Sequence, residues 1–350
     1  MEILEDTMET EITDKMNWDE LTFSITPTRS MYVATSNMGE EWQRGDLVPY
    51  GNLSLSPAAG VLNYGQGVFE GMKAFHTIKD RVVIFRPDMN AKRMYNSAER
   101  LCMPAVPKEL FLHAVEDVVR DNEDYIPPVG KGSLYIRPLL LGSGAVLGVK
   151  PAPSYTFLIY VSPVGPYFKS DIKPLYLKIT KYFHRAAPKG TGNAKAIGNY
   201  ASSLYPQKLA KERGYDEVIY LNAANENNVE EVGSANLFVF KGNVLKTPRL
   251  CGSILPGVTR NSVIYLCENE FGITVEEGDL TVNEVLNADE VFCTGTAVVV
   301  TPIGKIDTDD GRSQIQDGEM GPLTKKLRSK ILAIQREECD DPYGWVYPLL

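Results

Sequence analysis

Lys195 lies in the run Gly190-Thr191-Gly192-Asn193-Ala194-Lys195-Ala196-Ile197-Gly198, among small residues and just ahead of a helix predicted from Tyr200. A lysine drawn out of water loses part of its preference for the charged form, and the neutral amine is a nucleophile able to form a Schiff base. On spacing alone, a solvent-facing lysine on a flexible loop is the simpler account, so the residue needs company. Ile254-Leu255-Pro256-Gly257-Val258-Thr259-Arg260 is a turn feeding an amphipathic helix; the unfilled N–H groups of a helix start, with a threonine hydroxyl, suit a phosphate dianion or merely a capped helix. Thr294-Gly295-Thr296-Ala297 follows a strand ending at Cys293 and offers more hydroxyls and backbone donors, or an ordinary tight turn. Glu231, in Glu230-Glu231-Val232-Gly233-Ser234-Ala235-Asn236, could face a cationic ring nitrogen or simply water. None of these is specific by itself. Lysine, phosphate-suited helix start and carboxylate together are what a pyridoxal phosphate (PLP) enzyme needs.

Other chemistries find less support. Gly142-Ser143-Gly144-Ala145-Val146-Leu147-Gly148 follows a predicted strand as a dinucleotide loop would, but Val149-Lys150-Pro151-Ala152-Pro153 cannot open a helix, so an NAD(P) oxidoreductase is a minority reading. The Gly190–Lys195 run lacks the spacing and ending of an ATP-binding P-loop. Three histidines, none paired for a zinc hydrolase, and five scattered cysteines without a Cys-x-x-Cys argue against a resident metal and a disulfide framework.

The elements that must position these residues fit a folded α+β chain. Hydrophobic residues are 43% and charged residues 23% of 350, and the length leans toward two domains. A net charge of −9 without a basic run gives no expectation of nucleic-acid or membrane-surface binding. No apolar stretch is long enough to span a bilayer, and the acidic opening Met1–Asp6 leads to the expectation of a cytoplasmic protein. Residues 1–20 read as an N-terminal arm. A domain over 21–161 has predicted strands at Leu47–Leu53, Arg81–Phe85, Ser133–Leu141 and Tyr155–Val161, with helices at Pro87–Leu101 and Lys108–Asp121. Two prolines and a glycine in Ser162–Phe168 suggest an interdomain loop over 162–170. A domain over 171–350 has predicted strands at Leu175–Thr180, Glu217–Leu221, Leu237–Phe240 and Glu290–Cys293, and helices at Ala201–Glu212 and Arg260–Glu270.

Gly192-Asn193-Ala194-Lys195-Ala196-Ile197-Gly198-Asn199-Tyr200, Glu231-Val232-Gly233-Ser234-Ala235-Asn236-Leu237-Phe238 and Leu255-Pro256-Gly257-Val258-Thr259-Arg260 resemble, in order and spacing, the signature blocks of class IV aminotransferases, most closely the branched-chain amino acid aminotransferases. The resemblance extends through Leu62–Lys73, Asn90–Met94, Ser97–Pro104 and Tyr135–Pro138, and covers about residues 20 to 345. It implies a two-domain fold-type-IV PLP enzyme with a smaller N-terminal and a larger C-terminal domain, and a homodimer. The implied reaction is transamination of leucine, isoleucine and valine with 2-oxoglutarate in two half-reactions.

The resemblance also implies roles. Lys195 would hold PLP and move the substrate Cα proton, Glu231 would keep the ring nitrogen protonated, and Tyr200 would bond the ring oxygen. Arg93, which read without the family is an exposed arginine on the helix Pro87–Leu101, would bind the phosphate with Val258, Thr259 and Thr296. Ser234, Leu255 and Gly257 complete the implied cofactor set. The backbone of Thr296 and Ala297 would receive the substrate carboxylate. Phe23, Tyr64, Phe69 and Tyr135 would line the side-chain pocket, Val149 would reach in from the partner subunit, and Arg137 would accept the γ-carboxylate of glutamate. Ser234 stands where some members have threonine, and Val298 and Thr301 replace a redox-active cysteine pair, so no thiol regulation of that kind is expected. D-amino-acid and amine transaminases and aminodeoxychorismate lyases share the implied fold and are the competing readings.

Overall fold

The computed structural model describes residues 16–165 and 172–349. Residues 1–15 of the expected arm, and 166–171 with most of the expected interdomain loop, lie outside them. The chain divides into two compact units, Met1–Lys169 with Ala333–Leu350, and Ser170–Leu332.

In the first unit the strands are β1 (Ser30–Asn37), β2 (Asp46–Pro49), β3 (Gly67–Phe69), β4 (Met72–His76), β5 (Val82–Phe85), β6 (Ser133–Gly142), β7 (Ser154–Val164) and β17 (Val346–Pro348). Their order is β17-β5-β4-β6-β7-β1-β2, with β3 also on β6 and every pairing antiparallel. The helices are α1 (Gly60–Tyr64), α2 (Pro87–Arg100) and α3 (Lys108–Asp121). On α3, Phe111, Ala114, Val115, Val118 and Val119 recur at helical spacing and are buried in one cluster with Ile84, Leu134, Ile136 and Phe157 of the sheet. The buried stripe of α2 is less apolar, because Asn90, Arg93 and Ser97 stand in it beside Ala91, Met94 and Ala98. On β6 the alternation puts Leu134, Ile136 and Leu140 into the core and Tyr135 and Arg137 on the opposite, partly open face.

Three expectations change here. The predicted strand Leu47–Leu53 is only Asp46–Pro49, because β1 offers it partners only from Ser30 to Val33. The proline-bearing Ser162-Pro163-Val164, expected in the interdomain loop, continues β7. Pairing with β1 stops at Ile159, so the missing N–H of Pro163 costs no bond on that side. The C-terminal stretch, expected within the second domain, belongs to the first unit: β17 pairs with β5, Leu349 is buried in its core, and Glu337 accepts hydrogen bonds from Thr77 Oγ1 (2.9 Å), Lys79 Nζ (3.3 Å) and Arg81 Nε (2.8 Å). With that stretch moved across, the first unit is the longer of the two, not the smaller.

The second unit has strands β8 (Leu175–Thr180), β9 (Glu217–Asn222), β10 (Asn225–Val232), β11 (Ala235–Lys241), β12 (Val244–Pro248), β13 (Thr274–Gly278), β14 (Glu290–Gly295), β15 (Val299–Asp307) and β16 (Arg312–Gln314). Pairing runs β10-β9-β8-β15-β14-β11 and returns to β10, so six strands close a ring around Leu177, Ile179, Ile219, Leu237, Val291, Cys293 and Ile303. Its helices are α4 (Ile197–Ala201), α5 (Leu204–Glu212), α6 (Val258–Asn269), α7 (Val282–Leu286) and, as far as Leu332, α8 (Pro322–Gln335). The single helix predicted over Ala201–Glu212 is broken between α4 and α5. Ser202 and Ser203 turn their hydroxyls back onto the carbonyls of Asn199 and Tyr200, at 2.9 and 2.8 Å, in competition with the helical ladder.

Candidate active site

The loop before α4 presents Lys195. Asn199 braces it, accepting from Thr191 Oγ1 at 2.8 Å and donating to the carbonyls of Thr191 and Ala194 at 2.8 and 3.0 Å. The loop lies close against Ser253: a Cβ on Gly192 would sit 2.1 Å from the Ser253 carbonyl oxygen, so only glycine fits there. Lys195 is half-buried, and its Nζ stands 2.9 Å from the Tyr200 hydroxyl, five residues on.

Sheet register sets the neighbours of Glu231. It faces Asn236 across β10 and β11, and Asn236 faces Thr294 across β11 and β14, giving one row over three strands. The Glu231 carboxylate is fully buried and both oxygens are used. Oε1 accepts from Asn236 Nδ2 at 2.8 Å; Oε2 takes the Arg185 guanidinium at 2.7 Å and a long bond from the Leu255 N–H at 3.4 Å. Burial pushes this carboxyl up to about 7, against the lowering effect of Arg185 and the Leu255 N–H. The neighbouring Glu230 is also pushed up by burial; it accepts from Asn222 Nδ2 at 2.7 Å and from the Ser253 hydroxyl.

Leu255 and Gly257 lead into α6. A Cβ on Gly257 would lie 2.1 Å from Asn236 Oδ1, so glycine is required where the row of Glu231 and Asn236 meets the helix start. The N-cap of α6 is Gly257, which has no side chain to cap it, and the first residues of the helix are Val258 and Thr259, both buried. That leaves a helix start suited to an anion. At the end of β14, Thr296 and Ala297 form the turn into β15, where Val299 holds φ 59°. A β-branched residue in the left-handed region is strained, at a cost of roughly 1–3 kcal/mol, and such strain concentrates at functional sites. Arg328 of α8 pins the turn by donating to the carbonyls of Val298 and Val300 at 2.9 and 2.8 Å. Ser234 sits exposed at the hairpin turn with Gly233.

The first unit gathers its own group. Phe23 packs edge-on to Tyr135 with centroids 5.1 Å apart, Arg137 donates to the Tyr135 hydroxyl at 2.8 Å, and its guanidinium lies over the rings of Phe69 and Tyr135 at 4.8 and 5.1 Å. Gly71 is required here, since a Cβ would meet the Tyr135 hydroxyl at 2.2 Å. Tyr64 instead bonds the carbonyl of Leu147 in the loop joining β6 to β7, where Leu147 and Val149 are 91% and 89% exposed. That loop ends in an antiparallel strand, not in a helix. Arg93 is not the exposed arginine that its helix suggested. It is buried with its fork on Glu70, Nε to Oε1 and Nη2 to Oε2 both at 2.7 Å, and Asn90 Nδ2 joins at 2.7 Å.

Sequence reasoning missed Arg185, Asn236, Arg328 and the Glu70 partner. Glu70 and Asn236 stand inside the blocks quoted above without a role; Arg185 and Arg328 give no local signal.

Residues 67–306 match the family described as amino-transferase class IV, which is more than half the chain. The chain belongs to the class IV aminotransferases. Among curated relatives of this class IV protein, a chloroplastic branched-chain-amino-acid aminotransferase of Arabidopsis thaliana is 49% identical over 345 residues, 98% of this chain and 83% of the relative. A methionine aminotransferase of the same plant is 45% identical over 330 residues, 94% of this chain and 92% of its own. The solved branched-chain amino acid aminotransferase of Escherichia coli superposes with a TM-score of 0.79 at 30% identity, covering 92% of this chain and all of that one. Class IV aminotransferases are PLP-dependent, and solved relatives hold the cofactor in its PLP and pyridoxamine 5′-phosphate forms. The class IV fold explains the mixed units described above. Among the described residues no helix is long and apolar enough to cross a membrane.

Proposed function

We propose that this chain is a PLP-dependent transaminase that moves the amino group of L-leucine, L-isoleucine and L-valine to 2-oxoglutarate, giving branched-chain 2-oxo acids and L-glutamate. The observation that carries the reading is the buried Glu231 carboxylate held by Arg185 and Asn236, in the same unit as a half-buried lysine whose amine touches a tyrosine hydroxyl. The donor set fits the cofactor: an amine for its aldehyde, a carboxylate for its ring nitrogen, and an uncapped helix start for its phosphate. When bound, PLP supplies a conjugated ring that takes up the electron pair released as the substrate Cα–H bond breaks.

This chain's residues do the rest. Lys195 Nζ anchors the cofactor, takes the Cα proton as general base and returns it as general acid. The Tyr200 hydroxyl, within hydrogen-bond reach of Nζ, orients that amine. Glu231 holds the ring-nitrogen proton. Leu255, Gly257, Val258, Thr259, Ser234, Thr296 and Arg93 are assigned to cofactor contact, and the N–H groups of Thr296 and Ala297 to the substrate carboxylate. Phe23, Tyr64, Phe69 and Tyr135 are assigned to the substrate side chain and Arg137 to the γ-carboxylate of glutamate. The stack of Arg137 on two aromatic rings supports a site that takes an apolar chain or a carboxylate in turn.

The reading includes a homodimer in which Val149 contacts the partner; the exposed Leu147 and Val149 support it. Sedimentation at micromolar protein checks this, and a monomer would remove that part. A cytoplasmic location also belongs to the reading. Imaging of a tagged full-length chain checks it, and an organelle signal, as the chloroplastic relative's name suggests for that protein, would remove it. For the reaction, 2-oxo acid formation is measured over a panel of L- and D-amino acids and amines with 2-oxoglutarate as acceptor. Turnover on the branched L-amino acids is expected; turnover only on D-amino acids or amines would move the assignment elsewhere in the class.

A further inference from the structure

Arg185 lies in the stretch between β8 and the lysine loop, and its side chain is 3% exposed. One nitrogen of its guanidinium, Nη1, has three partners. It meets Glu231 Oε2 at 2.7 Å, donates to the Ser253 carbonyl at 2.9 Å, and makes a longer bond to the Gly192 carbonyl at 3.4 Å. Gly192 belongs to the loop of Lys195, and Ser253 opens the turn that leads through Leu255 and Gly257 to α6. So three segments with separate tasks meet on one side chain.

The electrostatic setting makes that contact consequential. Glu231 is surrounded by protein, and the charged groups that face it are Arg185 from the preceding loop, Lys195 from its own loop, and Glu230 beside it on β10. Glu230 opposes the ionisation of Glu231, and Glu230 itself interacts with Arg185. A buried carboxylate without a cation takes up a proton, and a neutral acid cannot balance a protonated ring nitrogen.

We infer that Arg185 is a positioning residue for the cofactor acid: it charge-balances Glu231 and ties to it the loop of Lys195 and the turn leading to α6. The inference rests on the reading above that Glu231 faces the ring nitrogen. Arginine suits the place because its guanidinium stays charged when buried, whereas a buried lysine shifts its pKa readily.

The test compares holoenzymes carrying Arg185→Gln, Arg185→Lys and Glu231→Gln. The L-leucine half-reaction is followed by visible absorbance across pH, and cofactor retention is followed during dialysis. In Arg185→Gln the acid limb of the rate profile should move alkaline by about one pH unit or more, because removing an adjacent opposite charge raises a carboxyl pKa by about 1–3 units. The cofactor should also leave faster. A purely structural role would lower the rate evenly at every pH and leave the limb in place; that result, or wild-type behaviour, would overturn the inference. If Arg185→Gln does not fold, Arg185→Lys is read on the same axes: a smaller alkaline shift and faster cofactor loss are expected, and identity with wild type in both would overturn it. Wild-type rates and acid limb in Glu231→Gln would instead overturn the underlying reading of Glu231.

Discussion

Among the described residues, Glu70 with Arg93 in the first unit and Glu231 with Arg185 in the second are ion pairs with both side chains buried, and the two pairs differ in what is left over. Glu70 and Arg93 meet fork to fork, with Asn90 filling a further position on the carboxylate and the Gly71 N–H another at 3.3 Å. Both carboxylate oxygens are supplied with donors, and the paired contact fixes the guanidinium plane. Glu231 and Arg185 meet at one oxygen only, and the guanidinium divides itself between the carboxylate and two backbone carbonyls. Burial pushes the Glu231 carboxyl up to about 7, against the lowering effect of Arg185. Glu70 holds the Arg93 guanidinium, assigned above to the cofactor phosphate, in one place; Glu231, pushed up by burial, is the carboxylate whose charge a protonated ring nitrogen would balance.

The largest effect should fall on neither pair. Lys195→Ala is expected to lose transamination by on the order of 10³-fold or more while folding normally, since it removes nucleophile and proton carrier together. Near-wild-type turnover in that variant would remove the central assignment. Next, Glu70→Gln should act on stability, costing about 3–5 kcal/mol in urea unfolding because a buried guanidinium loses its fork partner. Glu231→Gln should act on turnover instead, by roughly 10²-fold or more, with a smaller stability loss because Arg185 keeps its two carbonyls. If the two substitutions give the same balance of stability and activity, the contrast between the pairs is wrong.

Smaller effects sharpen the picture at the edges. Arg137→Gln should raise KM for glutamate and 2-oxoglutarate by roughly tenfold or more and hurt leucine less, since it removes a charge-assisted contact that only the diacid makes. Equal losses for all substrates would refute its role. The smallest is a pH effect in the first unit. Glu337 is held down to about 2, from an ordinary value of 4.5, mainly by its bond from Arg81, with Thr77 and Lys79 adding to it. A depressed carboxyl pKa gives stability that is present above the unfolded value and lost as pH falls through the folded one. Wild type should therefore lose this contribution between about pH 4.5 and 2. Thermal melts of Glu337→Gln should differ from wild type at pH 7 and converge with it at the acid end; a constant difference would show that titration of Glu337 is not involved.

Much of this is readable in the sequence where the signal is local. Lys108–Asp121 carries a full apolar stripe and forms the helix over those residues, and Leu175–Thr180 is a strand as predicted. Lys195, Glu231 and the Gly257–Thr259 helix start stand out as candidates through small residues and turn chemistry, and their assigned roles rest on the family blocks around them. What escapes depends on contacts remote in the chain. Pro163 can stay in a strand because β1 ends early, and residues near 346 return to the first sheet through pairing that no local pattern announces. Arg93 reads as exposed when its helix stripe is searched for apolar residues only, whereas Glu70, twenty-three positions away, makes its burial possible. Arg185 escapes for the same reason: its partners are at 192, 231 and 253.

The measurement that tests the central claim most directly is the visible absorbance spectrum of the purified protein, taken before and after L-leucine is added without any 2-oxo acid. The predicted result is a yellow protein whose band falls with L-leucine and returns when 2-oxoglutarate follows. A protein that stays colourless after PLP is supplied, or a yellow one indifferent to L-leucine, would contradict it.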